Sequence, residues 1–471
     1  MRESPPSHNS APAAAPAPLD AFQWEVQPIA EQTVREVLDG ATARSPFLAR
    51  LGGRMRDEAG TRLFDWVDHL VVPDAGGLRE RLRNAGFIGR FLPGAGETYV
   101  NEDGIFPAVV PTHAGATRVF VKVESVADFL LAMKPDPECG IEGAPLAPVR
   151  RCRVSAEDDV EVWAIERHGY RGMDVPPIAP ETAAAVLQHA EAFRLRRRAF
   201  AAEAEGFAHA NGLLDASIAD LGIDRTCELF FAAEREYWQR RNRAAQVQKS
   251  RQDRLGLGWA NHDHHTYRSS REHFAPLIAL LEKLGFQCRE RFYAGRDAGW
   301  GAQVIEQPVA GITIFADVDM SPEELVEDFS HKGLPPRKAL GTVGLWCALH
   351  GEAFLEAGMH HLECQFDFEA LKAQLEGEEG VKVMKPFTNF PHLRQAFTEG
   401  ETWPVRPERI ERLLAAGSIT AEQAKQFREK GALGSHLENL ERNQGFKGFN
   451  QTGISEIIAR TDPRAQHRQT A

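Results

Sequence analysis

No run of apolar residues in this chain of 471 approaches the roughly 20 that a membrane helix needs. Cysteine is scarce: the six (139, 152, 227, 288, 347, 364) are scattered, with no Cys-x-x-Cys and no paired spacing. That argues against a disulfide framework and a thiolate zinc site, and it fits a reducing cytosol. Positive charge is also in deficit, with a net charge of −12. An acidic chain is a poor candidate for non-specific nucleic-acid binding, which needs clustered Lys and Arg to displace counterions. The exception, Arg194-Leu195-Arg196-Arg197-Arg198, sits in a helical stretch with Glu on either side and reads as a solvated helix face. The Ala/Pro-rich start has no apolar core. Residues 1–26 therefore read as a disordered tail and not a signal peptide, and cytoplasmic is the expected location.

The length implies two or three packed units. After a helical stretch over 27–60, a β-branched run from Phe64 to Val72 predicts a strand. A helix follows from Gly77 to Ala85, closed by Gly86-Phe87, and then strand-like runs at 97–100, 106–111 and 117–124. The same order recurs at 263–318, where a helix at about 271–284 ends in Gly285-Phe286. It recurs again from Met359, with a helix at about 368–375 and strands at 381–384 and 394–397. Repetition of β-α-β-β-β predicts an α+β fold of like modules in a cupped mixed sheet, with a helical insertion. The expected divisions are an N-terminal module over 27–176, a helical connector over 177–255, a metal-binding domain over 256–460 and a flexible tail over 461–471. Ser321-Pro322-Glu323-Glu324 predicts a helix start, and further helices are expected at 407–416 and 420–430.

The chemistry concentrates in Trp259-Ala260-Asn261-His262-Asp263-His264-His265-Thr266-Tyr267-Arg268. On a strand, His262, His264, Thr266 and Arg268 share one face. A neutral imidazole can hold a metal and a guanidinium can grip a carboxylate bidentately. Such a strand, with His and Arg a few pleats apart, suggests a metal site receiving an anionic substrate. The bland alternative is a polar strand end with solvated histidines.

Repeated modules of this kind resemble the vicinal oxygen chelate superfamily, in which paired modules offer a metal ligands from their first and last strands. A second histidine is then expected at the start of the third copy. His361 shares its face with Glu363 and Gln365, and His360 with Leu362 and Cys364; a metal cavity is polar, so His361 is preferred and His360 is the fallback. Glu399 and Glu401 are both carboxylate candidates on a late strand. Two imidazoles and one carboxylate form the facial set of non-haem Fe(II) oxygenases.

Asp263-His264-xxx-Arg268, His360-His361-Leu362 and Phe397-Thr398-Glu399-Gly400 together resemble the 2-oxoadipate dioxygenase/decarboxylase family, over roughly residues 258–455. The chain departs from that pattern in its extra N-terminal module and in His360, where Asn is usual. The resemblance implies that His264, His361 and Glu399 bind Fe(II), that Arg268 binds a substrate carboxylate beside Thr266, and that a 2-oxo acid and dioxygen yield a hydroxy acid and CO2. Two other readings compete. A glyoxalase-type lyase or isomerase would show a second Glu ligand, with Glu306 the place for it; a metal-free binding protein would have kept only the fold. In the first module Asp68-His69 matches Asp263-His264, but Pro73 stands where Arg268 does. His69 is read as packed core, with Glu124 its partner if a second metal site exists. The remaining histidines, His436 among them, lack paired spacing and read as surface or core.

Overall fold

A β-α-β-β-β unit recurs through the fold, and each complete copy closes when its last strand returns parallel to its first. The computed structural model describes residues 24–134, 139–296, 298–450 and 463–464. The expected tails therefore lie outside the described residues, save 24–26 and 463–464. The first unit runs β1 (Val67–Pro73), a helix Leu78–Asn84, then β2 (Ile88–Leu92), β3 (Gly96–Val100) and β4 (Ala108–Thr112), with β4 parallel to β1. A shorter unit follows: β5 (Thr117–Lys122), a helix Val126–Met133, β6 (Val149–Glu157) and β7 (Val160–Arg167), with β7 parallel to β5. Antiparallel pairing of β1 with β5 joins the two into one sheet, ordered β2-β3-β4-β1-β5-β7-β6.

The second sheet repeats the plan. β8 (His262–Arg268), a helix Phe274–Lys283, β9 (Gln287–Tyr293), β10 (Trp300–Gln307) and β11 (Ile312–Asp319) form one unit. β12 (His361–Gln365), a helix Phe368–Gly377, β13 (Thr388–Phe390), β14 (Leu393–Phe397) and β16 (Ala432–Arg442) form the other, with β15 (Glu401–Trp403) pairing off β16. β8 and β12 pair antiparallel, and the order is β13-β14-β16-β12-β8-β11-β10-β9. The expected α+β architecture of repeated modules in mixed sheets is present, with no closed barrel among the described residues.

Local chemistry accounts for the likeness of the first and third units. Each helix ends at a glycine with positive φ, Gly86 at 84° and Gly285 at 86°. The next residue turns its N–H back to the helix, Phe87 to the Leu82 carbonyl and Phe286 to that of Leu281, and its ring is buried. A side chain at the glycine would be strained, so the reversal that seats each phenylalanine depends on it.

Several expectations need correction. The run 117–124 opens the short second unit and does not close the first. Residues 381–384 make only an isolated bridge, between Val383 and Thr398, and Ser321-Pro322 leads into a single 3-10 turn, Glu324–Val326. The arginine run is not a solvated face either. Arg196 is buried, and with Arg198 it pairs with buried Glu234 at 2.8 and 2.5 Å, one carboxylate answering two guanidinium groups. Between the sheets in sequence lie four helices, Pro180–Leu195, Glu203–Leu221, Ile223–Gln239 and Arg243–Arg254. Phe231 of the third packs edge-on against His265, Tyr267 and Phe286. Burying that ring contributes about 1.5–3 kcal/mol and fixes the back of β8. No helix among the described residues is long and apolar enough to cross a membrane.

Candidate metal centre

A β-bulge sets the geometry. Glu363 pairs with His264 and Cys364 with His262, leaving Asp263 as the extra residue. Without the bulge His262 would share a face with His264; with it, His264, Thr266 and Arg268 line one pocket and His262 lines another. The neighbouring strands complete the set. His361 lies opposite Thr266, and in the parallel pairing of β12 with β16 His361 stands beside His436 and Glu363 beside Glu438. The tripeptide His-Leu-Glu thus occurs twice, at 361–363 and 436–438, side by side in register.

Ligand atoms of His264, His361, Glu363 and Glu438 all fall within 4.8 Å of one another, and all four residues are buried. One Glu363 oxygen lies 2.8 Å from His264 Nε2 and 2.5 Å from His361 Nε2, and Glu438 is 3.9 Å from the latter. Neighbours orient these groups. Asp263 takes His264 Nδ1 at 2.8 Å and is itself gripped by Arg442 through two hydrogen bonds of 2.9 and 3.0 Å. Gln395 donates to Glu438 at 2.8 Å. A second group, His360, His361 and His436, meets the same spacing and shares His361.

Burial and charge tune the donors. Burial lowers His264 to about 4 despite the pull of Asp263, and it lowers His361 well below its usual value, with His436, His264 and Arg268 adding to the effect. Both imidazoles are neutral at pH 7, as metal ligands must be. Burial also raises Glu363 well above the carboxylate range, reinforced by Glu438, and lifts Glu438 to about 7. Two adjacent buried carboxylates resist carrying two negative charges, and a divalent cation relieves that repulsion. Glu363 Oε2 is buried without a hydrogen-bond partner among the described residues. Two neutral imidazoles and two carboxylates, with no thiolate, fit Fe(II), Mn(II), Zn(II) or a similar ion.

The same pocket, about 70 Å³, is lined by Arg268, Thr266 and Asp317 and walled by Phe292, Trp300, Phe315, Phe387, Phe397 and Phe449. Arg268 lies 4.0 Å from Asp317, with its guanidinium 5.5 Å from the centre of the Trp346 ring. Glu399, expected to be the carboxylate ligand, is exposed and outside the cluster. β14 ends at Phe397, so alternation no longer aims residue 399 inward. Glu401 accepts from the Arg243 backbone at 2.7 Å, and Glu306 pairs with Lys447 and Arg289 at 3.4 and 3.5 Å; neither joins the cluster. His360 lines the pocket, with Nδ1 held 2.9 Å from the Gly434 carbonyl.

The first sheet carries the same frame without the donors. Asp68 is again the bulge residue, it holds His69 Nδ1 at 2.6 Å, and Arg167 grips it through two bonds of 2.8 Å. By register, Phe120 stands where Glu363 does and Trp163 where Glu438 does. His69 stacks on Phe120 at 3.9 Å and Phe120 on Trp163 at 5.5 Å, an aromatic pile filling the equivalent of the metal cluster. Glu124 is exposed and pairs with Lys249. Among the described residues no metal-holding group includes His69.

No family model matches the chain, and no curated protein matches it by sequence. Solved structures with a similar fold include a protein assigned to the glyoxalase superfamily from Ralstonia eutropha JMP134 (14% identity, 58% of this chain and 99% of that one, TM-score 0.32). A variant of 4-hydroxymandelate synthase from Streptomyces coelicolor (10% identity, 86% and 98%, TM-score 0.23) is another. So is a Shigella flexneri protein that includes domain DUF1338 (12% identity, 60% and 84%, TM-score 0.24). Likeness at these scores decides nothing about the chemistry, which rests on the residues themselves.

Proposed function

We propose that this chain is an Fe(II)-dependent dioxygenase that converts a 2-oxo acid, preferably a dicarboxylate, to a hydroxy acid with release of CO2. In this reading the metal ligands are His264, His361 and Glu438, the last in the role expected of Glu399. One observation carries it: a buried two-histidine, two-carboxylate cluster and a buried guanidinium open on the same small pocket, with His264 and Arg268 on one strand face. When bound, the metal supplies Lewis acidity and a place for dioxygen. Arg268 receives the carboxylate far from the reacting end, and the Thr266 hydroxyl lies between the two. Burial raises Asp317 to about 8 against the pull of Arg268, so at pH 7 it is largely protonated. The phenylalanine walls exclude water from that contact and strengthen it. A cavity of about 70 Å³ favours a short acid, since sites for drug-sized ligands run to about 300–1,000 Å³.

Glu363 favours a second reading, a lyase or isomerase of the glyoxalase kind, because it puts a second carboxylate among the donors. Oxygen uptake separates the two. Fe(II)-loaded protein is offered a panel of 2-oxo acids, with Arg268→Ala alongside. Consumption with one acid, lost in the variant, supports the dioxygenase; a metal-loaded protein that consumes no oxygen with any acid supports the lyase.

A further inference from the structure

A second cavity, about 280 Å³, lies where the ends of β1 and β5 in the first sheet meet the ends of β8, β12 and β16 in the second. Its lining is rich in charge, and most of that charge is matched. Asp65 takes two hydrogen bonds of 2.7 Å from Arg62, Asp68 is gripped by Arg167, and Glu31 pairs with Arg35. Arg442, also in the lining, is engaged with Asp263. Two cations are left over. Lys122, half-buried at the end of β5, and Arg171, at the mouth, both line the cavity, and neither has a hydrogen-bonded or ion-paired carboxylate among the described residues.

We propose that this cavity is a binding site for a small dianion, a short dicarboxylate or a phosphate, held between Lys122 and Arg171. Lys122 is half-buried and Arg171 exposed, so an oxyanion can reach both from the mouth and make charge-assisted hydrogen bonds to them. Burial lowers the Lys122 ammonium to about 8; Asp68 pulls the other way, and the more weakly acting Arg167, Arg235 and Arg171 add to the lowering. Two positive charges without a hydrogen-bonded carboxylate among the described residues, with Asp68 and Glu306 acting on them only at longer range, set the charge of the occupant. The cavity of about 280 Å³ leaves room for a short dicarboxylate or a phosphate group. The site involves none of the metal-cluster residues and does not depend on the proposed reaction. Its link to that cluster is Arg442, which lines this cavity and holds Asp263.

Isothermal titration of the full-length, metal-loaded protein tests this. Malonate and inorganic phosphate are the two dianion probes, and acetate is the single-charge control. Saturable binding of at least one dianion, about tenfold tighter than acetate, is expected. Lys122→Met and Arg171→Ala should each weaken it about tenfold or more, while Lys122→Arg, which keeps the charge, and Arg268→Ala should retain it. The tighter of malonate and phosphate names the class of ligand. The proposal is overturned if neither dianion saturates below about 10 mM, if Lys122→Met and Arg171→Ala bind as wild type, or if only Arg268→Ala loses binding, which would place the anion in the metal pocket.

Discussion

Arg442 closes on Asp263 with both arms of its guanidinium, at 2.9 and 3.0 Å, and through that carboxylate fixes the ring of His264. Arg167 and Asp68 repeat the contact in the first sheet, so one orienting device occurs twice and, among the described residues, serves a metal-type cluster only in the second sheet. Removing one partner of a buried ion pair costs about 3–5 kcal/mol, because the other charge is stranded. Arg442→Met is therefore expected to lower stability by about that amount and metal affinity by about 10- to 100-fold. Arg167→Met should show the stability loss alone. Denaturant melts beside equilibrium dialysis separate the two effects.

Arg268→Ala should leave metal binding intact and lower kcat/KM by roughly 10²–10³-fold, as expected when one member of a buried charge pair is truncated. Arg268→Lys should rescue little of it, since a point ammonium lacks the planar fork that matches a carboxylate. Steady-state oxygen uptake with the preferred acid measures both.

The pH dependence of metal loading follows from the carboxylates. With Glu438 lifted to about 7 and Glu363 raised well above its usual range, the metal-free cluster holds protons near neutrality that a bound cation must displace. Metal uptake should release protons and weaken as pH falls below about 7. In the metal-free protein the two kinds of ligand pull in opposite directions. A carboxyl group whose folded pKa is raised, as in Glu438, contributes stability that declines as pH rises through 4.5 towards 7. A buried imidazole whose folded pKa is lowered, as in His264, contributes stability that is lost as pH falls below 6.5. Thermal melts with chelator and with metal, from pH 5 to 8, should diverge as pH rises.

His69 should be silent towards metal. His69→Ala breaks its stack on Phe120 and its bond to Asp68, and should cost stability of about 1–3 kcal/mol without changing the metal content of the protein. Metal analysis of the purified variant checks this.

The module order could be read in the sequence because Gly86-Phe87 and Gly285-Phe286 mark the same helix end, and because Asp-His appears at both opening strands. His264, Thr266 and Arg268 followed from strand alternation. His262 did not, because a bulge at Asp263 breaks the period of two, and nothing in the local residues announces it. The carboxylate was missed for a different reason. Between Lys430 and Gly445, residues 432–442 carry a glycine and four charged or amide side chains, a weak strand signal; in the fold they form β16, buried along most of its length. The usable clue was the repeated His-Leu-Glu tripeptide, whose parallel register brings Glu363 and Glu438 together. Phe397-Thr398-Glu399 pointed elsewhere because the strand ends one turn of the pleat too soon.

Anaerobic Fe(II) titration of the wild-type chain, Glu438→Gln and Glu399→Gln tests the central claim most directly. One ion per chain is expected for wild type and for Glu399→Gln, with affinity reduced about 100-fold or more in Glu438→Gln. Binding that survives in Glu438→Gln and is lost in Glu399→Gln would contradict the assignment and return the metal to the exposed loop after β14.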